Sequence, residues 1–368
     1  MGLSPGGAGT GRSPSRGPPG ARPRLQGRLE AGLSRMAAES GLLRLPNPPD
    51  PRTIPVGPFR RGDEARAAGD RIPAGHGSGP RADRPVEGGP RMTRATSGRL
   101  TEVGTVRSAM LAAASGIVHA FSTRQGGVSL PPFATLNLGQ SVGDDSAAVD
   151  ENRRRFFGTC GINAGRVVRV WQAHGDGVLR VDEGLAGRAG FPDCLMDERA
   201  KFDALITCLP GLALVVSTAD CLPILIHDPV RRAAAAVHAG WRGTAKRIAA
   251  RAIEAMQKAY GTDPSDCRAA LGPGIRGCCF EVDAAVADAM AAGLPTWEAH
   301  ARANRTGHWL LDLAAVNRAI LASAGVRADR VEDVGLCTCC RNDLFFSHRA
   351  EKGRTGRMMN FILLKAYC

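Results

Sequence analysis

The stretch Ser217–Gly243, STADCLPILIHDPVRRAAAAVHAGWRG, constrains the chain more than any other. Two apolar runs, Leu222–Ile226 and Ala233–Val237, flank the interruption His-Asp-Pro-Val-Arg-Arg. Asp-Pro favours a turn, because Asp bonds nearby backbone and Pro presets φ. The segment therefore predicts an antiparallel hairpin. With a four-residue loop over Asp228–Arg231, His227 pairs with Arg232, and Cys221 stands directly opposite His238 on one face. Side chains so placed lie about 5 Å apart. A thiol and an imidazole at that separation can share a metal or act as nucleophile and base. A half-buried Cys beside a hydrogen-bonded His is the plain alternative, and a one-residue slip would turn one of the two to the other face.

The surrounding sequence predicts a scaffold of consecutive strands. Ile117–Ser122, Val167–Ala173, Asp203–Thr207, Leu212–Ser217, Arg268–Leu271, Val331–Val334, Phe345–Arg349 and a final run from Arg357 all read as strands. Helices are expected from Asp145 or Ser146 to Gly158, from Thr244 to Tyr260 with Gly261 as the stop, over Asp283–Ala292, and over Leu313–Ala324 behind an Asp312 cap. Strands outnumber helices and many are consecutive. The expected fold class is α+β (mixed α/β), a single domain with antiparallel-rich sheets packed by helices.

That domain is expected over residues 92–368. Residues 1–91 carry Gly/Pro/Arg/Ser clusters, fifteen Arg against eight acids, no Lys and no Cys. Such a segment cannot bury enough apolar surface to order itself, so a disordered tail is expected. It reads either as a basic arm or as an over-extended gene model with Met92 or Met36 as the start; the second reading is preferred. Removing the tail's +7 from the chain's +13 leaves a modest +6. That suits a small anionic substrate and is not a nucleic-acid footprint. No run of 18 apolar residues predicts a membrane span. The eleven Cys all follow residue 159 and include the adjacent pairs Cys278-Cys279 and Cys339-Cys340. This disfavours a secreted disulfide framework and points to a reducing cytoplasm.

A catalytic zinc needs three protein ligands and an open position. His174, at a strand end and followed by Gly175 and Gly177, can complete a His/Cys/His set with Cys221 and His238. Arg242, beside Gly243 at the expected start of a helix, is a candidate anion seat; a structural salt bridge is its rival reading. Cys278/Cys279 and Cys337/Cys339/Cys340 are read as poorly spaced for a thiolate site, so inert buried thiols are expected. The His-x-Glu/Pro-Cys-x-x-Cys deaminase signature, Walker loops and dinucleotide glycine fingerprints are absent.

Several motifs follow one another in order: Thr123-Arg124-Gln-Gly-Gly-Val, Thr135-Leu-Asn137-Leu-Gly, Gln172-Ala-His174-Gly, Asp203-Ala-Leu-Ile-Thr, Ala219-Asp-Cys221-Leu-Pro, His238-Ala-Gly-Trp-Arg242-Gly and Phe346-Ser-His-Arg349. Together they resemble the YfiH-like family, long labelled multicopper polyphenol oxidases or laccase-domain proteins, in its purine nucleoside phosphorylase/adenosine deaminase form. The resemblance spans about Ile117 to Leu364. It implies one zinc ion on His174, Cys221 and His238, which also form the catalytic set, with copper captured in vitro by the soft thiolate. It implies phosphorolysis of adenosine, inosine or methylthioadenosine, with adenosine deamination in the same pocket. Arg124, Asn137, Arg242 and Arg349 are the implied substrate-binding residues. The implied partners are purine nucleosides and phosphate, with neither nucleic acid nor membrane, and the chain is expected as a monomer or small homo-oligomer. Gly274, Phe280 and His348 depart from the family's usual residues.

Three other readings compete. A peptidoglycan-precursor editing hydrolase would use the same Cys/His site for amide cleavage. A copper oxidase would need many paired His-x-His ligands, and the domain has seven His and no such pair. A non-enzymatic binding module would use the basic tail as its arm.

Overall fold

In the computed structural model, residues 103–187, 189–190 and 201–366 are described. The expected tail over 1–91 and the candidate start at Met92 lie outside them. Among the described residues the strands are, in chain order, β1 (Thr105–Val106), β2 (Ile117–Ser122), β3 (Val167–Val168), β4 (Val178–Arg180), β5 (Ala204–Thr207), β6 (Ala213–Thr218), β7 (Leu222–Asp228), β8 (Ala233–Ala239), β9 (Arg268–Leu271), β10 (Glu281–Asp283), β11 (Ala301–Arg305), β12 (His308–Leu311), β13 (Val331–Asp333) and β14 (Met358–Leu364). They form sheets of order β1-β2-β14-β6-β3, β13-β9-β7-β8-β5-β4 and β10-β12-β11. Only β3–β6, β4–β5 and β9–β13 pair in parallel among them. The fold is a mixed α/β domain with antiparallel-rich sheets packed by helices, as the strand count predicted.

Alternation along the strands sorts the apolar residues into layers. Phe121, Leu214, Val216 and Ile362 of the five-stranded sheet meet Leu225, Ala234, Ala236 and Ala270 of the six-stranded sheet. The opposite face of the six-stranded sheet, including Ile224, Ile226, Ala235 and Val237, packs on Ile248, Ile253 and Met256 of the helix Ile248–Tyr260 and on Val316 and Ile320 of the helix Leu313–Ser323. Each such large side chain contributes about 1.5–3 kcal/mol when fully buried. The helix Ser146–Thr159 covers the outer face of the five-stranded sheet through Phe156 and Phe157. Asp145 caps it, accepting from the Ala147 and Ala148 N–H groups.

The hairpin forms, but in a different register. Asp228 is still in the strand and pairs with Ala233, so the loop is Pro229–Arg232. The Asp228 carboxylate accepts from the Val230 and Arg231 N–H groups, and Arg232 turns through φ 52°. His238 therefore lies opposite Pro223 rather than Cys221. The shift is by two residues, which keeps Cys221 and His238 on the same face.

Other local differences have identifiable causes. The strand expected over Val167–Ala173 is only Val167–Val168. Further on, the Gln172 side chain takes the place of the ladder: its amide donates to Ser217 O at 2.8 Å and accepts from Ser217 N at 2.7 Å. The helix expected from Thr244 is two helices, Trp241–Ala245 and Ile248–Tyr260, separated at Arg247 with φ 62°. Phe345–Arg349 is a turn region rather than a strand, with both phenyl rings buried. The β11–β12 hairpin, turning at Gly307 with φ 70°, was not read from the sequence.

Candidate metal centre

Cys221 stands in the turn between β6 and β7, and His238 is near the end of β8. His238 is two residues along β8 from Ala236, on the same face of the strand, and Cys221 immediately precedes β7. His174 follows β3 in a loop and reaches the same point. One ligand atom from each of the three side chains lies within 4.8 Å of the others. Cys221 Sγ is 3.9 Å from His174 Nδ1, and the two imidazole rings meet edge-on with centroids 4.8 Å apart. The sequence could not place His174 near the other two; the fold does.

A residue with no assigned role in the sequence reading organises this arrangement. Asp203, fully buried just before β5, accepts from His238 Nδ1 at 2.7 Å and from the backbone N–H groups of Ala173, His174 and Gly175 at 3.2, 2.9 and 2.6 Å. The bond at Nδ1 leaves Nε2 of His238 to face the ligand cluster. The three backbone bonds hold His174 at φ 57°, a left-handed conformation that costs a non-glycine residue roughly 1–2 kcal/mol. A buried acid at the head of the apolar run Ala-Leu-Ile was the available signal, since such a charge requires partners.

The electrostatics follow from this packing. Burial alone would raise the Asp203 carboxyl, but bonds from His238 and the Gly175 and His174 N–H groups hold it below its ordinary value. Burial opposes the Cys221 thiolate too, yet the His238 charge and contacts with both imidazoles bring the thiol down to about 6. Burial opposes His238 protonation, while the Cys221 charge and the Asp203 bond raise it to about 9. The charged form of each group thus favours the charged form of the other.

The donor set fits a borderline-soft divalent ion: two imidazoles and a thiolate, with one side open. Gly240 shows how closely the groups approach. A Cβ there would lie 2.9 Å from His174 Nδ1 and 3.0 Å from Cys221 Sγ, so any side chain would occupy the space between ligands.

The centre opens into a cleft of about 800 Å³. Arg169, Arg242, Arg349 and Arg357 line it, together with aromatic faces from Trp171, Trp241 and Phe280. Arg242 lies over the Trp241 ring at 4.3 Å. Arg349 donates to the carbonyls of Cys279 and Glu281, and its own N–H donates to Asp220 Oδ2 at 2.6 Å. Asp220 also accepts from the Thr338 hydroxyl at 2.6 Å and has φ 87°, so it ties the Arg349 backbone to the loop after β13. Burial pulls Arg357 below its ordinary value, and the Cys221 and Asp220 charges act in the opposite sense. Arg169 and Arg357 were not picked out in the sequence; a charged residue inside the apolar run Val167–Val170 was the signal for the first.

The structure does not bring Arg124 and Asn137 to the cleft wall. Arg124 donates to Ala134 O and Asn342 O and pairs with Glu351 at 3.1 Å. Asn137 is fully buried; it donates to Gly139 O and Asp144 Oδ2 and accepts from Gly139 and Arg357 N–H groups. Both shape the loop that borders the cleft.

A second group of sulfurs differs from the expectation of inert buried thiols. Cys278, Cys279, Cys337 and Cys340 converge, and Cys278 and Cys340 are exposed. Cys337-Thr-Cys-Cys340 is itself a Cys-x₂-Cys pair, which the spacing argument passed over.

Fold and centre together define a candidate metalloenzyme with a His/Cys/His set in an arginine-lined cleft. The family model described as multi-copper polyphenol oxidoreductase laccase matches residues 118–365. Purine nucleoside phosphorylase YlmD of Bacillus subtilis is 36% identical over 251 residues, 68% of this chain and 89% of that protein. A purine nucleoside phosphorylase of Deinococcus radiodurans is 41% identical over 244 residues, 66% of this chain and 87% of that protein. The crystal structure of the hypothetical protein YfiH from Bacillus licheniformis superposes with a TM-score of 0.64 at 37% identity, covering 68% of this chain and 93% of that one. The chain belongs to this YfiH-like, multi-copper polyphenol oxidoreductase laccase family.

Proposed function

We propose that the chain is a zinc-dependent purine nucleoside phosphorylase that also deaminates adenosine. The observation that carries this reading is the convergence of His174, Cys221 and His238 on a cleft lined by four arginines. Relatives named purine nucleoside phosphorylase support the reaction class.

Phosphorolysis joins a phosphate oxygen to C1′ of the nucleoside as the bond from C1′ to the purine nitrogen breaks. The products are a pentose 1-phosphate and the free base, which takes up a proton. We assign Arg242 and Arg349 to the phosphate, since both line the cleft and guanidinium groups bind such oxyanions in pairs of bonds. Arg169 and Arg357 add positive potential on the same wall. Trp171 and Phe280 offer flat apolar faces to a planar base. His174, Cys221 and His238 would hold the ion, Asp203 fixes the His238 imidazole and the His174 backbone, and Gly240 keeps the space between the ligands clear. When bound, the ion supplies Lewis acidity in the cleft. Deamination would use water in place of phosphate: its oxygen would bond the purine carbon that carries the amino group, and that group would leave as ammonia.

The nine described cysteines all stand free, which suits the reducing cytoplasm we assign to the protein. Among the described residues no helix is long and apolar enough to cross a membrane.

The test is product analysis with adenosine in the presence and absence of phosphate. Adenine with ribose 1-phosphate, formed only with phosphate, is the expected result; inosine is the expected side product. Release of an amino acid from a nucleotide-linked muropeptide, with no nucleoside turnover, would instead establish precursor editing.

A further inference from the structure

We propose that Cys278, Cys279, Cys337 and Cys340 form a second metal site, a closed four-sulfur site that binds one structural zinc ion. Their sulfur atoms all lie within 4.8 Å of one another. Cys340 Sγ is 3.4 Å from Cys278 Sγ and 3.3 Å from Cys279 Sγ. A tetrahedral zinc at about 2.3 Å from each sulfur sets the sulfurs about 3.8 Å apart, so closing the site requires no sulfur–sulfur distance to change by more than about 1 Å. A disulfide needs about 2 Å and joins two sulfurs only, whereas here two sulfurs converge on Cys340 and a fourth lies beside them.

Cys337 is buried, while Cys278 and Cys340 are exposed, which gives the ion an entry path. Four soft ligands select zinc over magnesium or calcium, and four protein ligands leave no open position, so the site is structural rather than catalytic.

The site would staple two loops, the one that follows β9 and the one that follows β13. Without it, their backbones meet through few bonds, among them Gly274 N to Leu336 O at 3.2 Å and Thr338 N to Gly274 O at 3.1 Å. Both loops bear on the cleft, and Ile275 and Phe280 of the first line it. Cys279 O accepts from Arg349, and the Thr338 hydroxyl donates to Asp220. The inference does not depend on which reaction the cleft performs.

The test is zinc content per full-length chain, purified without chelator, for the wild type and three variants. The wild type is expected to hold about two ions, Cys221→Ala about one, Cys278→Ser/Cys340→Ser about one, and Cys208→Ser about two. Cobalt substitution of Cys221→Ala should give strong thiolate-to-cobalt charge-transfer absorption, and chelator should lower its melting temperature. Should the double variant fail to fold, the Cys221→Ala measurements still decide the matter. A Cys221→Ala chain without a cation overturns the proposal. So does mass spectrometry of freshly purified protein that finds a disulfide within the four. Loss of metal in Cys221→Ala relative to wild type reports separately on the first centre.

Discussion

Replacing Asp203 by Asn tests the centre through a residue that is not itself a ligand. The carboxylate accepts four N–H donors: His238 Nδ1 and His174 N at Oδ1, and Ala173 N and Gly175 N at Oδ2. Asn has the same shape but offers one acceptor and one donor. If its oxygen stays with His238, its NH₂ group faces the Ala173 and Gly175 N–H groups and the loop that holds His174 opens. If it flips, the NH₂ group faces His238 Nδ1, and the imidazole proton moves to the nitrogen meant for the metal. Each unpaired buried donor costs about 1–3 kcal/mol. Loss of such a supporting group lowers metal affinity about 10–100-fold. The assay is zinc competition against a chromophoric chelator, beside circular dichroism to confirm that the fold is kept. A folded Asp203→Asn chain with wild-type zinc affinity would refute the role given to Asp203.

Further outcomes follow from the same geometry. Gly240→Ala places a methyl group 3.0 Å or less from two ligand atoms, so zinc content should fall at least tenfold while the melting temperature shifts little. Gln172→Ala removes both side-chain bonds to Ser217, and denaturant unfolding should show a loss of about 1–3 kcal/mol. Buried His119 and His227 are both held near 4 in the folded chain, chiefly by burial, against 6.5. The unfolded chain then binds more protons between about pH 6.5 and 4, so stability is intact above that window and falls with falling pH through it, by roughly 3 kcal/mol per histidine. His119→Gln should flatten the acid limb of a urea-midpoint profile; an unchanged limb would show that His119 is not responsible.

Much of this molecule is written in its local sequence. The Asp145 and Asp312 caps and the Gly261 stop each depend on residues a few positions apart, and each forms as read; the β7–β8 hairpin forms too, in a register shifted by two. Errors arose where distant groups replaced local rules. Gln172 stands in for a strand ladder because Ser217 lies beside it in space. The hairpin loop moved one residue because the Asp228 side chain caps the turn from within the strand. The consequence was small, since a shift of two preserves the face. The metal centre was legible as three residue types but not as a geometry. Asp203 stands out as an acid heading an apolar run, but its bonds to His238 and the His174 backbone appear only once β5 is placed beside β8. Arg124 and Asn137 were implied as substrate groups by the family resemblance; in the structure their side chains bond the loops they sit in.

The central claim joins one cation to one reaction. Its most direct test is to strip the chain of metal, titrate zinc back, and follow hypoxanthine release from inosine with and without phosphate, for the wild type and for Cys221→Ala. Phosphate-dependent release that rises with zinc in the wild type and is lost in Cys221→Ala is the predicted result. Release that ignores phosphate or zinc, or survives in Cys221→Ala, would contradict the account.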